Sequence, residues 1–148
     1  MGLGLMIVSA ILSCGCQGNQ GKGAKAATGV TVENLAGRWS LMASGTYNKT
    51  GQTPICPFTL GGSFTLNSDG SGTGSLTEHG CANDLSHPAI SFVITHIGPS
   101  GSGSALLTLL ADSTPIQLSI QVEKGMKVMT FVDLSDPDFY ISGVAILN

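Results

Sequence analysis

From residue 37 onward, apolar side chains recur at every second position in run after run, with short turn-forming segments between the runs. A period of two sends one face of an extended strand into a core and the other into water. No helix can use that pattern. Trp39, Leu41 and Ala43 alternate with Arg38, Ser40 and Met42. Phe58, Leu60, Gly62, Phe64 and Leu66 face one way, and Thr59, Gly61, Ser63, Thr65 and Asn67 the other. Ile90, Phe92 and Ile94 stand opposite Ser91 and Thr95, and Ile116, Leu118, Ile120 and Val122 opposite Gln117, Ser119, Gln121 and Glu123. Residues 72–77, 105–110, 126–134 and 139–147 complete a set of eight predicted strands. Asn67-Ser68-Asp69-Gly70, residues 98–103, Lys124-Gly125 and Ser135-Asp136-Pro137-Asp138 supply the turns, with Gly70 available for a positive φ.

Short connections favour antiparallel neighbours, so the expected fold is all-β: an eight-stranded antiparallel up-and-down barrel. Closure into a barrel removes exposed edges, and a two-sheet β-sandwich is the alternative. Composition agrees with a packed domain. The chain is 42% apolar and only 10% charged, which argues against disorder. A net charge of -3 with no clustered basic face argues against a nucleic-acid partner. The 21 glycines show no collagen period and read as turns and close strand packing.

The segment ahead of the strands reads as an address. Residues 3–12 are an apolar run of signal-peptide length, too short for the ~20 residues that a membrane-spanning helix needs. Ile11-Leu12-Ser13-Cys14 resembles the bacterial lipobox, where the signal peptide is cut ahead of a cysteine that takes the lipid. The resemblance implies a signal peptide over 1–13, lipid attachment at Cys14, and a partner in the membrane itself. Leu12 is bulkier than the usual residue there, and no Lys or Arg precedes the apolar run, which points to an upstream initiation site. Gly15, rather than Asp, after the cysteine implies the outer membrane in a Gram-negative envelope. Residues 14–29 then form the lipid anchor and a flexible Gly- and Ala-rich tether, and 30–148 the barrel domain.

Export permits disulfides. Of the four cysteines, Cys56 and Cys81 alone fall inside the domain, so they are the expected pair, with two buried free thiols as the alternative. Closing that loop stabilises by about 3.5 kcal/mol in the chain-entropy model, less any strain. Cys16 has no assigned partner.

Asn34-Leu35-Ala36-Gly37-Arg38-Trp39 resembles the Gly-x-Trp opening of lipocalins and related calycin barrels. In that family the tryptophan plugs one barrel end and the glycine lets the chain bend into the first strand, roles that fall on Trp39 and Gly37. The resemblance implies a small apolar ligand, such as a fatty acid, inside the barrel. Phe92, Ile94, His96, Leu118 and Ile120 are the expected lining, with His96 turned inward if strict alternation continues past Ile94. The last strand carries no Arg to stack on Trp39, and the single tryptophan excludes an avidin-like biotin site.

Other clusters suggest little chemistry. Glu78, His79, Asp84 and His87 flank Cys81 and are potential metal ligands, but a solvated loop is the expected reading. Asp133, Asp136 and Asp138 match no EF-hand spacing. Asn48-Lys49-Thr50 fits a glycosylation acceptor that matters only in a eukaryotic host. No Gly-x-Ser-x-Gly elbow and no phosphate-binding glycine loop is present, so neither enzyme activity nor a cofactor or metal is expected. Leu106, Leu107, Leu109 and Leu110, then Val128, Met129, Phe131 and Val132, then residues 139–146, are apolar on both strand faces. Their outer faces could merge into one patch, including Leu107 and Phe131, for a second copy or an envelope protein. Two functions follow: a membrane-anchored extracytoplasmic lipoprotein binding a small apolar ligand, or a structural or protein-interaction lipoprotein of the cell envelope with no ligand.

Overall fold

In the computed structural model, residues 29–47, 56–80, 84–109, 114–133 and 139–148 are described. The lipobox cysteine Cys14, Cys16, the tether over 14–28, the Asn48 acceptor, Cys81, Leu110, Asp136 and Asp138 lie outside them. A 3₁₀ turn, Val32–Leu35, leads into eight strands: β1 Gly37–Tyr47, β2 Cys56–Leu66, β3 Ser71–Gly80, β4 Asp84–Ile97, β5 Ser102–Leu109, β6 Ile116–Val122, β7 Val128–Asp133 and β8 Phe139–Leu147. Each strand pairs antiparallel with the one before it, and β8 returns to β1 from Trp39↔Leu147 to Tyr47↔Phe139. The sheet is therefore a closed up-and-down barrel, not a sandwich.

The two ends of the barrel differ. At the entry end lie the start of β1 and the β2–β3, β4–β5 and β6–β7 turns. The first of these follows the expected chemistry. Gly70 adopts φ +86°, Gly70 N–H donates to the Asn67 carbonyl, and both the N–H and the hydroxyl of Ser71 donate to the Asp69 carboxylate. Those two donors hold the Asp69 carboxyl below its ordinary value of 3.8. At the β6–β7 turn the left-handed residue is Met126, φ +57°, and β7 starts at Val128, later than the apolar run suggests.

The entry end is closed by its own chain. Gly37 takes φ +148°, a conformation that L side chains rarely adopt, and this bends the chain from the 3₁₀ turn into β1. Trp39 is 0% exposed, and its indole N–H donates to the Leu35 carbonyl at 2.9 Å. That bond pins the 3₁₀ turn, with its buried Leu35, across the barrel mouth. Trp39 stacks on Phe64 with ring centroids 6.4 Å apart, and Phe64 on Phe92 at 4.7 Å. Three aromatic rings thus cross the interior from β1 to β4.

β3 and β4 run further than their apolar periodicity indicates, and β4 departs from simple alternation twice. Between Gly74↔Ile90 and Leu76↔His87 the register shifts, with Pro88 and Ala89 on β4 opposite Ser75 alone. Between Ile94↔Ala105 and His96↔Ser104 it shifts again, with Thr95 as the extra residue. A bulge reverses the in–out phase of everything beyond it. This corrects the expectation for His96, which is exposed and not inward. It also turns His87, three residues before inward Ile90, into the interior.

The entry-end plug sets the first testable expectation. Trp39→Phe keeps the ring packing but leaves the buried Leu35 carbonyl without its donor, an expected loss of about 1–3 kcal/mol in urea unfolding. An unchanged midpoint would show that the indole bond does not hold the plug. The Asp69 turn sets a second. Its folded carboxyl titrates below the ordinary value, so its stabilisation is complete above pH ~4. It fades as pH falls through the lower folded value. A carbon-detected NMR titration should place Asp69 below 3.8, and Ser71→Ala should return it toward that value.

Candidate functional site

The interior was the expected ligand site. Four of its five anticipated lining residues, Phe92, Ile94, Leu118 and Ile120, do face inward, in one continuous apolar cluster with Leu41, Leu107 and Met129. His96 does not join them. Phe64 and Phe92 are each 1% exposed, and Leu107, Met129 and Ile141 are fully buried. Side chains so enclosed touch no water-sized void, so at their level the barrel is filled by its own residues. Eight strands allow either outcome, an interior filled by side chains or one that holds a single small ligand, and the aromatic rings here take the first.

The outer wall carries the open hollows. Leu60, Ala43, Gly143, Phe131 and Ile120 are successive cross-strand partners from β2 through β1, β8 and β7 to β6. On the outside, their backbones form the floor of a broad depression of about 1000 Å³. One side is lined by Thr59, Ser44, Ser142, Val132 and Ser119, and the other by Gly61, Met42, Val144, Thr130 and Gln121. Met42, 72% exposed, pairs with Val144, and exposed Ile146 pairs with Val128. The apolar outer surface therefore lies on β7, β8 and β1. The larger patch expected from β5, β7 and β8 does not form. β6 stands between β5 and β7 and presents Gln117, Ser119 and Gln121, while Leu107 and Phe131 are core residues.

The far end, opposite the plug, holds the polar groups. Tyr47, Phe58 and Phe139 gather there, with Phe58 5.4 Å from Phe139 and 6.1 Å from Tyr47. The four candidate metal ligands beside Cys81 sit not in a loop but on the paired ends of β3 and β4, and the pleat splits them. His79 and Asp84 are outside, Nδ1 to Oδ1 2.9 Å, both well exposed. Glu78 and His87 are inside, Oε2 to Nε2 3.3 Å, with side chains only 16% and 7% exposed. Two pairs on opposite faces of one sheet cannot share an ion, and among the described residues no group of three or more potential ligands converges.

The inner pair is a polar feature of the interior that sequence periodicity missed. His87 Nε2 meets Glu78, and its other ring nitrogen, Nδ1, has no hydrogen-bond partner among the described residues. A buried group in that state costs about 1–3 kcal/mol. Pro88 was the available signal, because proline inside a strand pattern marks an edge or a bulge. Asp133, also buried, ends β7 at the same end of the barrel.

No protein-family model matches the chain, and none of the curated proteins is similar to it.

The inner pair yields a direct stability test. Glu78→Leu alone leaves a buried imidazole with neither nitrogen bonded and should lower stability by about 1–3 kcal/mol. The double change Glu78→Leu with His87→Leu removes every unsatisfied atom and should restore or exceed the original stability. Urea unfolding of both variants measures this. A double variant less stable than Glu78→Leu would show that the pair itself stabilises the barrel.

Proposed function

We infer that the chain is a lipid-anchored lipoprotein of the bacterial cell envelope, held at the outer membrane through Cys14, whose barrel works through its outer surface. The observation that carries this reading is the filled interior, where Trp39, Phe64 and Phe92 occupy the space a carrier would keep for an apolar ligand. The Gly37–Trp39 opening is similar to that of lipocalin-like barrels, and on this reading the similarity lies in the plug.

Three further observations support the reading. The wall has apolar residues inside and chiefly Ser, Thr and Gln outside, the reverse of a barrel that spans a membrane. Such a domain reaches a membrane by an anchor. The chain enters at the plugged end, where Val30 N–H donates to the Pro99 carbonyl, so a tether from Cys14 would turn the far end away from the lipid. Cys56, buried at the start of β2, lies two residues before Phe58, whose ladder partner Gly80 directly precedes Cys81. That register suits the Cys56–Cys81 disulfide of an exported protein. The partner class is an envelope protein or a second copy docking on the wall or the far end.

Mass spectrometry of the chain from bacterial membranes tests each element. The expected result is an acylated Cys14, lost in Cys14→Ser, and two fewer hydrogens before reduction than after it. Under native conditions the folded barrel should carry no small-molecule adduct. A stoichiometric adduct of a few hundred daltons, released on unfolding, would overturn the surface reading in favour of a carrier. An unmodified Cys14 in the membrane fraction would overturn the anchor.

A further inference from the structure

The depression on the outer wall is kept open at a residue where the fold does not ask for space. Gly45, Gly62, Gly72, Gly74, Gly103 and Gly143 all lie in strands where a Cβ would meet a neighbouring atom at 2.7 Å or less. Packing explains each of them. Gly61, midway along β2 and lining the depression, is different, because a Cβ on it would meet nothing within 4 Å. A glycine inside a strand weakens that strand, and a ligand that comes close to the backbone is one reason to have it.

The lining narrows the ligand class. The depression is a trough across β2, β1, β8, β7 and β6, a run of about 19 Å at the usual interstrand spacing. No Lys, Arg, Asp or Glu lines it, so it offers no charge to an anion, a metal ion or a lipid headgroup. Its floor is a paired ladder, so an extended peptide finds no open strand edge there to join. What the trough offers is hydroxyls beside C–H surface. Thr59, Ser44, Ser142 and Ser119 stand along one bank, and their side chains make no hydrogen bond among the described residues. Met42 and Val144 stand on the other bank. At the β3 end Asp84 takes Nδ1 of His79 at 2.9 Å, which leaves Nε2 without a partner among the described residues. A second hollow adjoins here, sharing Ser44, Thr59 and His79, and the exposed Tyr140 lines it. Neutral donors and acceptors next to apolar surface match a sugar, which carries hydroxyls on its edges and C–H groups on its faces.

We propose that the outer-wall trough binds a neutral glycan chain laid across the strands, with a sugar ring against the bare backbone at Gly61 and its hydroxyls met by Thr59, Ser44 and Ser142. This rests on the reading that the barrel works through its outer surface, and adds a ligand class to it.

The test uses the full chain in a sugar-free detergent, titrated in turn with cellotetraose, chitotetraose and mannotetraose and followed by amide NMR and calorimetry. The expected result is saturable binding of at least one of them, of roughly millimolar strength, that moves the amides of Thr59, Gly61 and Ser142. Gly61→Ile fills the trough with a residue that suits a strand. It should leave the urea midpoint unchanged or higher while cutting binding roughly tenfold or more. Ser142→Val should weaken binding roughly two- to tenfold. Thr108→Val, on β5 and outside the trough, should leave it unchanged. The proposal is overturned if none of the three sugars binds, if the moving amides lie elsewhere, or if Gly61→Ile binds as the parent does. A dimer seen by sedimentation that Gly61→Ile abolishes would also overturn it, since the trough would then hold a second copy. Failure here with Cys14 acylated and the barrel empty leaves the surface reading intact. An internal apolar adduct would sink that reading whether or not a sugar binds outside.

Discussion

The ladder between β1 and β8 is the constraint from which the other properties follow. Nine residues of β1, from Trp39 to Tyr47, have partners on β8, so the sheet has no free edge, and the number, tilt and stagger of its eight strands set its radius. Once that radius is set, the interior has to be filled by one inward side chain per rung, and size matters at each. Trp39, Phe64 and Phe92 fill the interior towards the entry end, and further along, small Ala43 and Gly143 make room for Phe131. A Cβ at Gly143 would come within 2.6 Å of both Ala43 Cβ and Phe131 Cζ. The closure and the packing are one condition seen twice. A wider barrel would need a ligand or water in it, and this one has neither the radius nor the spare volume at its aromatic level.

The same constraint explains what could be read from the sequence and what could not. Where a strand keeps strict alternation, as β1, β2 and β6 do, the inward residues are the apolar ones and the sequence names them without error. The Gly37–Trp39 opening was legible for a related reason, since a bend into the first strand and a buried ring at its start leave a local signature. β4 was not legible, because alternation is a statement about phase and two bulges change the phase. The extra residue at Thr95 sends His96 to solvent, and the extra residue at Pro88–Ala89 brings His87 inside. Neither error could be detected from hydropathy, for a histidine is tolerated on either face. The far end of β3 and the near end of β4 were hidden too, because Glu78 is the polar residue of an inner face and breaks the period that announces a strand.

The outer wall shows why the apolar-on-both-faces strands were only half understood. Runs such as Val128-Met129-Thr130-Phe131-Val132 cannot by composition say which of their faces has neighbours on it. That depends on which strands lie beside them, and β6 puts Gln117, Ser119 and Gln121 where a continuous patch would have needed apolar groups. What survives outside is a smaller surface on β7, β8 and β1, centred on Met42 and Val144 and bordered by Ser44, Thr130 and Ser142. Its mixture of one long flexible thioether, short branched groups and hydroxyls suits reversible contact better than a permanent interface, which is commonly larger and more uniformly apolar.

Where its own side chains fill a barrel, the wall and the ends are the surfaces left, and the ends are not equivalent. The entry end is sealed by backbone and indole, with Trp39 bonded to Leu35 and the terminal Asn148 amide bonded to the Arg38 carbonyl. At the far end the balance is different, because a buried nitrogen there has no use in the fold that the described residues reveal. Selection for stability alone would have replaced the Glu78–His87 pair with apolar residues of similar size, since the rest of the interior shows that such residues fit. The pair lies on the inner face of the paired ends of β3 and β4, away from the plug. A buried group that weakens the fold is better explained by some use outside packing than by packing itself.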